Sequence, residues 1–236
     1  MKSKTYIHPA TLFFLLSCVV IICSWVGSGF GWLGVQNLLS VDGVRWILRN
    51  AEDNFMTSPA LAFICILFFG CGLFIHSGLG EALKRFLSHE RKLSRKQKRA
   101  LAMSAISVGF YISVCAFFAW GPWGIVRSVT GMLKGSPLLD GIVCIISLGI
   151  GLTGTVYGFA VDNYRRDKDV FRGMSYLYAF FADYFVSLFF IVQFFAALDY
   201  SRLLPFWGIP TEIAYIFYLV SCFLPFFFGE RHVLLR

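Results

Sequence analysis

The sequence predicts an all-α, polytopic membrane protein of about six transmembrane helices plus one interfacial amphipathic helix. Three observations predict it. The 236 residues are 58% hydrophobic and only 14% charged, where a soluble domain carries about 25% charged residues. Several apolar runs reach the roughly 20 residues that cross a bilayer. The Lys and Arg residues gather in alternate loops, as they do when loops alternate between the two sides of a membrane.

The apolar runs fall at residues 9–32, 59–79, 101–120, 137–161, 174–198 and 212–229. In lipid every backbone polar group must be satisfied internally, so each run is predicted as a helix. Pro225 lies in the last run and lacks an N–H, which predicts a kink or an end there. Residues 37–54 differ. Leu38, Leu39, Val41, Val44, Ile47 and Leu48 are mixed with Asp42, Arg45 and Arg49, the pattern of a short helix lying on the membrane surface. Residues 81–100 form a basic loop, and its first part is amphipathic. It is predicted to lie on the anionic cytoplasmic leaflet.

Charge sets the orientation. The N-terminus, the 81–100 loop, the 162–173 loop and the C-terminus hold sixteen Lys and Arg; the opposite loops hold five. The basic set is the cytoplasmic one, which places both termini in the cytoplasm of a bacterial inner membrane. Topology accounts for the net charge of +8, and no nucleic-acid partner is needed. Lys2 and Lys4 ahead of an apolar stretch also resemble a signal peptide. The apolar run continues past Cys18 through Ile22, so the segment is read as a retained span.

Chemistry-bearing motifs are few. The seven cysteines sit inside proposed spans without C-x-x-C spacing and read as small apolar residues. The four histidines are scattered at His8, His76, His89 and His232. No nucleophile–base pair or metal-ligand spacing emerges, so neither an enzyme, nor a cofactor, nor a metal site is predicted. Residues 149–154 match G-x-G-x-x-G but lie within a span, whereas a dinucleotide fingerprint needs a preceding strand. The small residues Gly27, Gly31, Ser147, Gly151, Gly154 and Gly158 are read as helix-packing positions, because small side chains let helices approach closely in lipid.

Polar groups inside spans are candidates for function by default. Asp183 is the deepest carboxylate of the predicted fifth span. Gln193 follows ten residues later, about 80° away on the helix wheel. His76 closes the second span. These three are the candidate substrate or proton pathway. The competing reading of Asp183 is a buried packing hydrogen bond to a nearby tyrosine, Tyr176, Tyr178 or Tyr184. For His76, as for Asp140 and Asp199 near span ends, the competing reading is an interfacial group reaching water.

Six short motifs, in order, carry a family resemblance. They are the segment from Asn37 through Leu38-Leu39-Ser40 and Gly43 to Arg45-Trp46, with Asn54-Phe55; His76-Ser77-Gly78-Leu79; Leu93-Ser94 through Lys98-Arg99 to Leu101; Ser136-Pro137-Leu138 through Ile142-Val143; Tyr157-Gly158 with Asp167-Lys168-Asp169-Val170; and Gln193-Phe194 through Asp199-Tyr200-Ser201. Across residues 11–204 they resemble the AbgT family of p-aminobenzoyl-glutamate transporters. The resemblance implies transport of p-aminobenzoyl-glutamate or related folate-type antimetabolites, by a homodimer or with a partner membrane chain. It also implies two departures. The family's re-entrant hairpin regions, expected between Leu79 and Leu93 and after Leu204, have no counterpart here, and no family substrate residue can be placed on this chain. The alternative expectation is therefore a non-transporting scaffold or partner subunit derived from that family.

Overall fold

A computed structural model of the chain describes residues 8–88, 93–121 and 135–228. Lys2, Lys4, His89, Arg91, Lys92, Arg127, Lys134, Gly229, Arg231, His232 and Arg236 lie outside the described residues, as do both termini. The helices are α1 Pro9–Gly29, α2 Val41–Met56, α3 Pro59–His76, α4 Leu79–Leu87, α5 Arg95–Trp120, α6 Pro137–Asp140, α7 Ile142–Ala160, α8 Asp167–Phe180, α9 Ala182–Ser201, α10 Leu203–Phe206 and α11 Thr211–Phe228. Among the described residues there is no strand.

Among the described residues, five stretches are long and apolar enough to cross a membrane. They lie in α1, in the continuous region Val41–His76, in α5, in α7 and in α9; a shorter apolar stretch, Thr211–Phe226, lies in α11. The fold is thus the multi-pass helical membrane protein that the sequence predicts. Large apolar side chains face outward along these helices, among them Phe14, Ile22, Ile106, Phe110, Phe217 and Val220. In water such surfaces drive aggregation; in a bilayer they are the ordinary lipid contact.

Several helix ends carry a local explanation. The Ser40 side chain caps α2 by accepting from the Gly43 N–H. Ser94 and Gln97 form a capping box that starts α5 at Arg95, six residues ahead of the predicted apolar edge. Ser136 caps α6, and Gly141 separates it from α7. The predicted 174–198 span is corrected. The chain breaks at Phe181, between α8 and α9. Apolar residues continue on both sides of this break, so hydropathy does not register it. In α11 the helix runs past Pro225 to Phe228.

The described residues form two compact units. One comprises the chain up to Ala62 and from Phe181 onward; the other is Phe63–Phe180. In the first, α9 is the central helix and packs against α1, α2, α10 and α11. Aromatic pairs line these seams: Phe13–Phe194 and Phe14–Phe190 from α1, Trp46–Tyr200 and Phe55–Phe189 from α2, and Tyr218–Phe195 and Phe226–Tyr184 from α11. The α1–α2 connection is stitched to the core. The Leu38 N–H donates to Ser24 Oγ at 3.1 Å, and the Gln36 N–H donates to the Ser201 carbonyl at 3.0 Å. Leu38 is fully buried with Val20, Ala197, Leu198 and Leu203.

In the second unit, α7 packs against α4, α5 and α6, and α3 crosses it at very short range. The Gly70 N–H donates to Ser147 Oγ at 3.1 Å, while the same hydroxyl donates to the Ile66 carbonyl. A Cβ on Gly70 would stand 2.0 Å from the Ser147 carbonyl oxygen, and one on Gly154 would stand 2.8 Å from the Leu73 backbone. Against α8, a Cβ on Gly72 would stand 2.5 Å from the Gly173 carbonyl oxygen. Small residues permit this approach, the way helices associate where lipid removes the hydrophobic drive.

The packing positions read from the sequence fall into three groups. Ser147, Gly151 and Gly154 line the α3 crossing. Gly158 makes room for the Tyr164 ring, and Gly27 for Trp32 of its own loop. Gly31 is corrected: it lies beyond α1 with φ +71° and nothing within 4 Å of an added Cβ. Its role is a left-handed turn, which glycine adopts without strain. Of the cysteines only Cys222 is fully buried, and Cys144 is exposed.

Gly70→Ala should destabilise the detergent-solubilised protein by about 1–3 kcal/mol, the usual cost of overpacking. Gly109→Ala, where an added Cβ meets nothing within 4 Å, should be neutral or stabilising by up to about 1 kcal/mol. Thermal midpoints followed by size-exclusion chromatography separate the two outcomes.

Candidate functional site

The polar groups collect at two places, one in each unit. In the second unit the corner between α7 and α8 folds back on the end of α3. Asp162 has φ +67°, which turns the chain sharply. Asn163 Nδ2 then donates to the Ser77 carbonyl at 2.7 Å, and Tyr164 enters the interior, where it is fully buried. Its ring lies against Gly158 and its hydroxyl against Gly173. The hydroxyl donates to the Leu73 carbonyl at 3.3 Å and lies 3.2 Å from His76 Nδ1. The Tyr164 hydroxyl thus ties the imidazole of His76 and the Leu73 carbonyl together at the end of α3. The two rings stack, and Tyr176 flanks the imidazole. Burial, with Asp169 adding a smaller push, raises the Tyr164 phenol to about 12. It therefore stays a donor at any physiological pH.

Ionic contacts brace the same corner. Lys96, in the first turn of α5, donates to Asp162. Asp169 accepts from the backbone N–H groups of Arg165 and Arg166 at 3.0 and 3.1 Å, which caps the first turn of α8. The Lys96 hydrogen bond and charge hold the Asp162 carboxyl below its ordinary range, and the two backbone donors do the same for Asp169.

In the first unit the polar positions lie along α2, which packs against α9, and just beyond its end. Gln193 Nε2 donates to the Ala51 carbonyl at 2.7 Å. Asn54, one turn on, has a buried Nδ2 without a hydrogen-bond partner. Ser58 Oγ and Tyr218 Oη lie 2.8 Å apart. Asn50 Nδ2 donates to the Trp46 carbonyl. Asp183 is exposed in the first turn of α9. A carboxylate there is favoured by the positive end of the helix dipole. Its backbone carbonyl accepts from Ser187 Oγ.

Of the predicted pathway, Asp183 and Gln193 share α9 but stand ten residues apart, about 15 Å along the axis. His76 belongs to the second unit. Within their own units, Gln193 is engaged by the Ala51 carbonyl and His76 by Tyr164, while Asp183 is exposed. The buried reading of Asp183 is corrected, because the break at Phe181 puts it at a helix start rather than in mid-span. Sequence reasoning missed Asn163, Tyr164, Asn54 and the Ser58–Tyr218 pair. Tyr164 had one usable signal: an aromatic residue six positions after a glycine in a turn sequence. Among the described residues no three His, Cys, Asp or Glu side chains cluster to hold a metal.

Fold and polar groups together define a multi-pass helical membrane protein whose intramembrane polar side chains mostly join one helix to another. A family model described as the AbgT putative transporter family matches residues 83–214. The chain belongs to that family. It is similar to the p-aminobenzoyl-glutamate transport protein of Escherichia coli (strain K12), 36% identical over 86 residues, which make up 32% of this chain and 17% of that protein. The matched stretch thus spans less than a fifth of that relative. Two solved structures share the fold at 16% identity. The Alcanivorax borkumensis YdaH transporter aligns with a TM-score of 0.70 over 84% of this chain and 71% of its own. Neisseria gonorrhoeae MtrF, described with a class of antimetabolite efflux pumps, aligns with a TM-score of 0.75 over 85% and 71%. These relatives are transporters, not enzymes.

Two outcomes are expected. Tyr164→Phe keeps the ring and deletes one buried hydroxyl. It should lower stability by about 1 kcal/mol and speed hydrogen exchange at residues 73–77. For Asp162 and Asp169 the folded pKa lies below the unfolded one. Their contribution is therefore complete above the ordinary aspartate pKa and lost as pH falls through the lowered folded value. Amide exchange across residues 162–170 should accelerate below about pH 4, ahead of the helices of the core.

Proposed function

We propose that this chain acts in AbgT-type transport of p-aminobenzoyl-glutamate or related folate-type antimetabolites across a bacterial inner membrane. It works as a homodimer or with a partner membrane chain. Both termini are cytoplasmic, and the basic 81–100 region lies on the anionic leaflet. The observation that carries this reading is the family match across residues 83–214, supported by a fold shared over most of the chain with two transporters. The sixteen-to-five division of Lys and Arg supports the orientation. In this reading Asp183, Gln193 and His76 are the candidates for the substrate or proton pathway, and the exposed Asp183 carboxylate is the first to test.

A second reading, a non-transporting scaffold or partner subunit, is favoured by a separate observation. Gln193 is engaged by the Ala51 carbonyl and His76 by Tyr164, so two of the three candidates already serve packing. Efflux of labelled p-aminobenzoyl-glutamate from cells with and without the gene separates the two readings. Transport predicts faster loss of label with the gene, and Asp183→Asn should abolish a proton-linked component at unchanged expression. Equal loss in both strains favours the scaffold. Retained flux in Asp183→Asn leaves Asp183 as a carboxylate in the first turn of α9 and no more.

A further inference from the structure

The turn after α3 builds a surface at the start of the basic 81–100 region, whose place on the anionic leaflet belongs to the proposed function and on which the following inference rests. Gly78, at φ +81°, reverses the chain, and α4 starts one residue later. Leu79 and Ala82 on its inner face are buried with Ala100 of α5 and Tyr157 of α7. This fixes α4 rigidly beside the first turns of α5. The outer face is apolar yet uncovered, with Leu83, Phe86 and Leu87 all exposed. Between this face and Phe74 of α3 runs an open groove of about 480 Å³, lined by Phe74, Gly80, Leu83, Lys84, Leu87 and Ser88.

The lining is graded. Phe74 belongs to the apolar spanning helix, whereas Lys84 and Ser88 stand on α4 and at its end. Of the neighbouring cations, Arg85 pairs with Glu81 at 2.9 Å and Lys96 pairs with Asp162. Among the described residues no carboxylate pairs with Lys84, which therefore presents an unneutralised charge at the mouth of an apolar groove. A small soluble anion gains nothing from Phe74, Leu83 and Leu87. A neutral hydrocarbon gains nothing from Lys84. An anionic amphiphile satisfies both.

We propose that this groove holds one acyl chain of an anionic phospholipid, with the headgroup phosphate on Lys84 and Ser88. The site rests on the membrane setting of α3 and α4 and is independent of transport. Failure of a lipid test leaves the efflux assay unaffected, and the reverse also holds.

The test uses the purified full chain and native mass spectrometry, with phosphatidylglycerol and phosphatidylcholine of matched chains. The unmodified protein should retain phosphatidylglycerol about five-fold better, the weight of one lysine at an anionic surface. Lys84→Gln should bring the ratio to about one while both lipids still bind. Leu83→Trp fills the groove and should lower retention of both. Lys168→Gln, a cation on α8 away from the groove, should change neither. Both groove residues are exposed, so the variants should keep the fold, checked by circular dichroism. Equal retention by the unmodified protein overturns the proposal. So does a ratio insensitive to Lys84→Gln, or a Leu83→Trp variant that keeps its lipid or releases a bound protein chain instead.

Discussion

At Gly70 the backbones of α3 and α7 come so close that a single added carbon would collide with the Ser147 carbonyl. Ser147 serves both sides of this contact, accepting from the Gly70 N–H and donating to the Ile66 carbonyl. Much of the second unit depends on the approach. It lets Leu73 meet Gly154, brings Gly72 against Gly173 of α8, and leaves the Leu73 carbonyl within reach of Tyr164. Tyr164 in turn closes the α7–α8 corner. A larger residue at Gly70 would therefore disturb a corner two helices away by opening the crossing that shapes the space for Tyr164.

The other helix contacts obey a related rule. In lipid a hydroxyl without a partner is expensive, and the acceptors always at hand are backbone carbonyls with a second lone pair. The structure uses them repeatedly. Tyr111 donates to the Ile145 carbonyl, Tyr178 to Cys65, Tyr184 to Cys222 and Gln193 to Ala51. Each bond crosses from one helix to another without charge. This division of labour keeps ionic pairs such as Lys96–Asp162 and Arg85–Glu81 at helix ends, where water and headgroups carry the desolvation cost.

Legibility in the sequence followed the range of the signal. Composition and apolar run length reveal α1, α3, α5 and α7, because a bilayer imposes length on a helix. Residues 37–54 read as an interfacial helix because Asp42, Arg45 and Arg49 interrupt the apolar residues, and α2 occupies most of that range. The break at Phe181 was illegible, since Phe180, Phe181 and Ala182 are as apolar as their neighbours. That break moved Asp183 from an apparent mid-span position to a helix start. Ser147, Gly151 and Gly154 were legible as small residues, but their partner was not. Which helix presents Gly70 and Leu73 to them is a tertiary fact. Gly31 has the same spacing signature and serves a turn instead, so small-residue spacing identifies candidates and cannot separate crossing from turning.

An intramembrane polar residue is read first as functional because its cost must be offset by something. Here much of that cost is offset structurally: Gln193 holds α2 to α9, and the His76–Tyr164 pair holds the α7–α8 corner to α3. Asn54 is the departure among the described residues, a buried amide nitrogen without a hydrogen-bond partner. Its place on α2 follows from Ala51 meeting Gln193 and Phe55 meeting Phe189, which fixes an antiparallel register with α9. That register sets Asn54 beside the level of Phe190, one turn from Gln193. An unsatisfied donor costs most in an apolar layer. The polar character of this seam is therefore not explained by helix packing alone, whereas that of the His76 corner is.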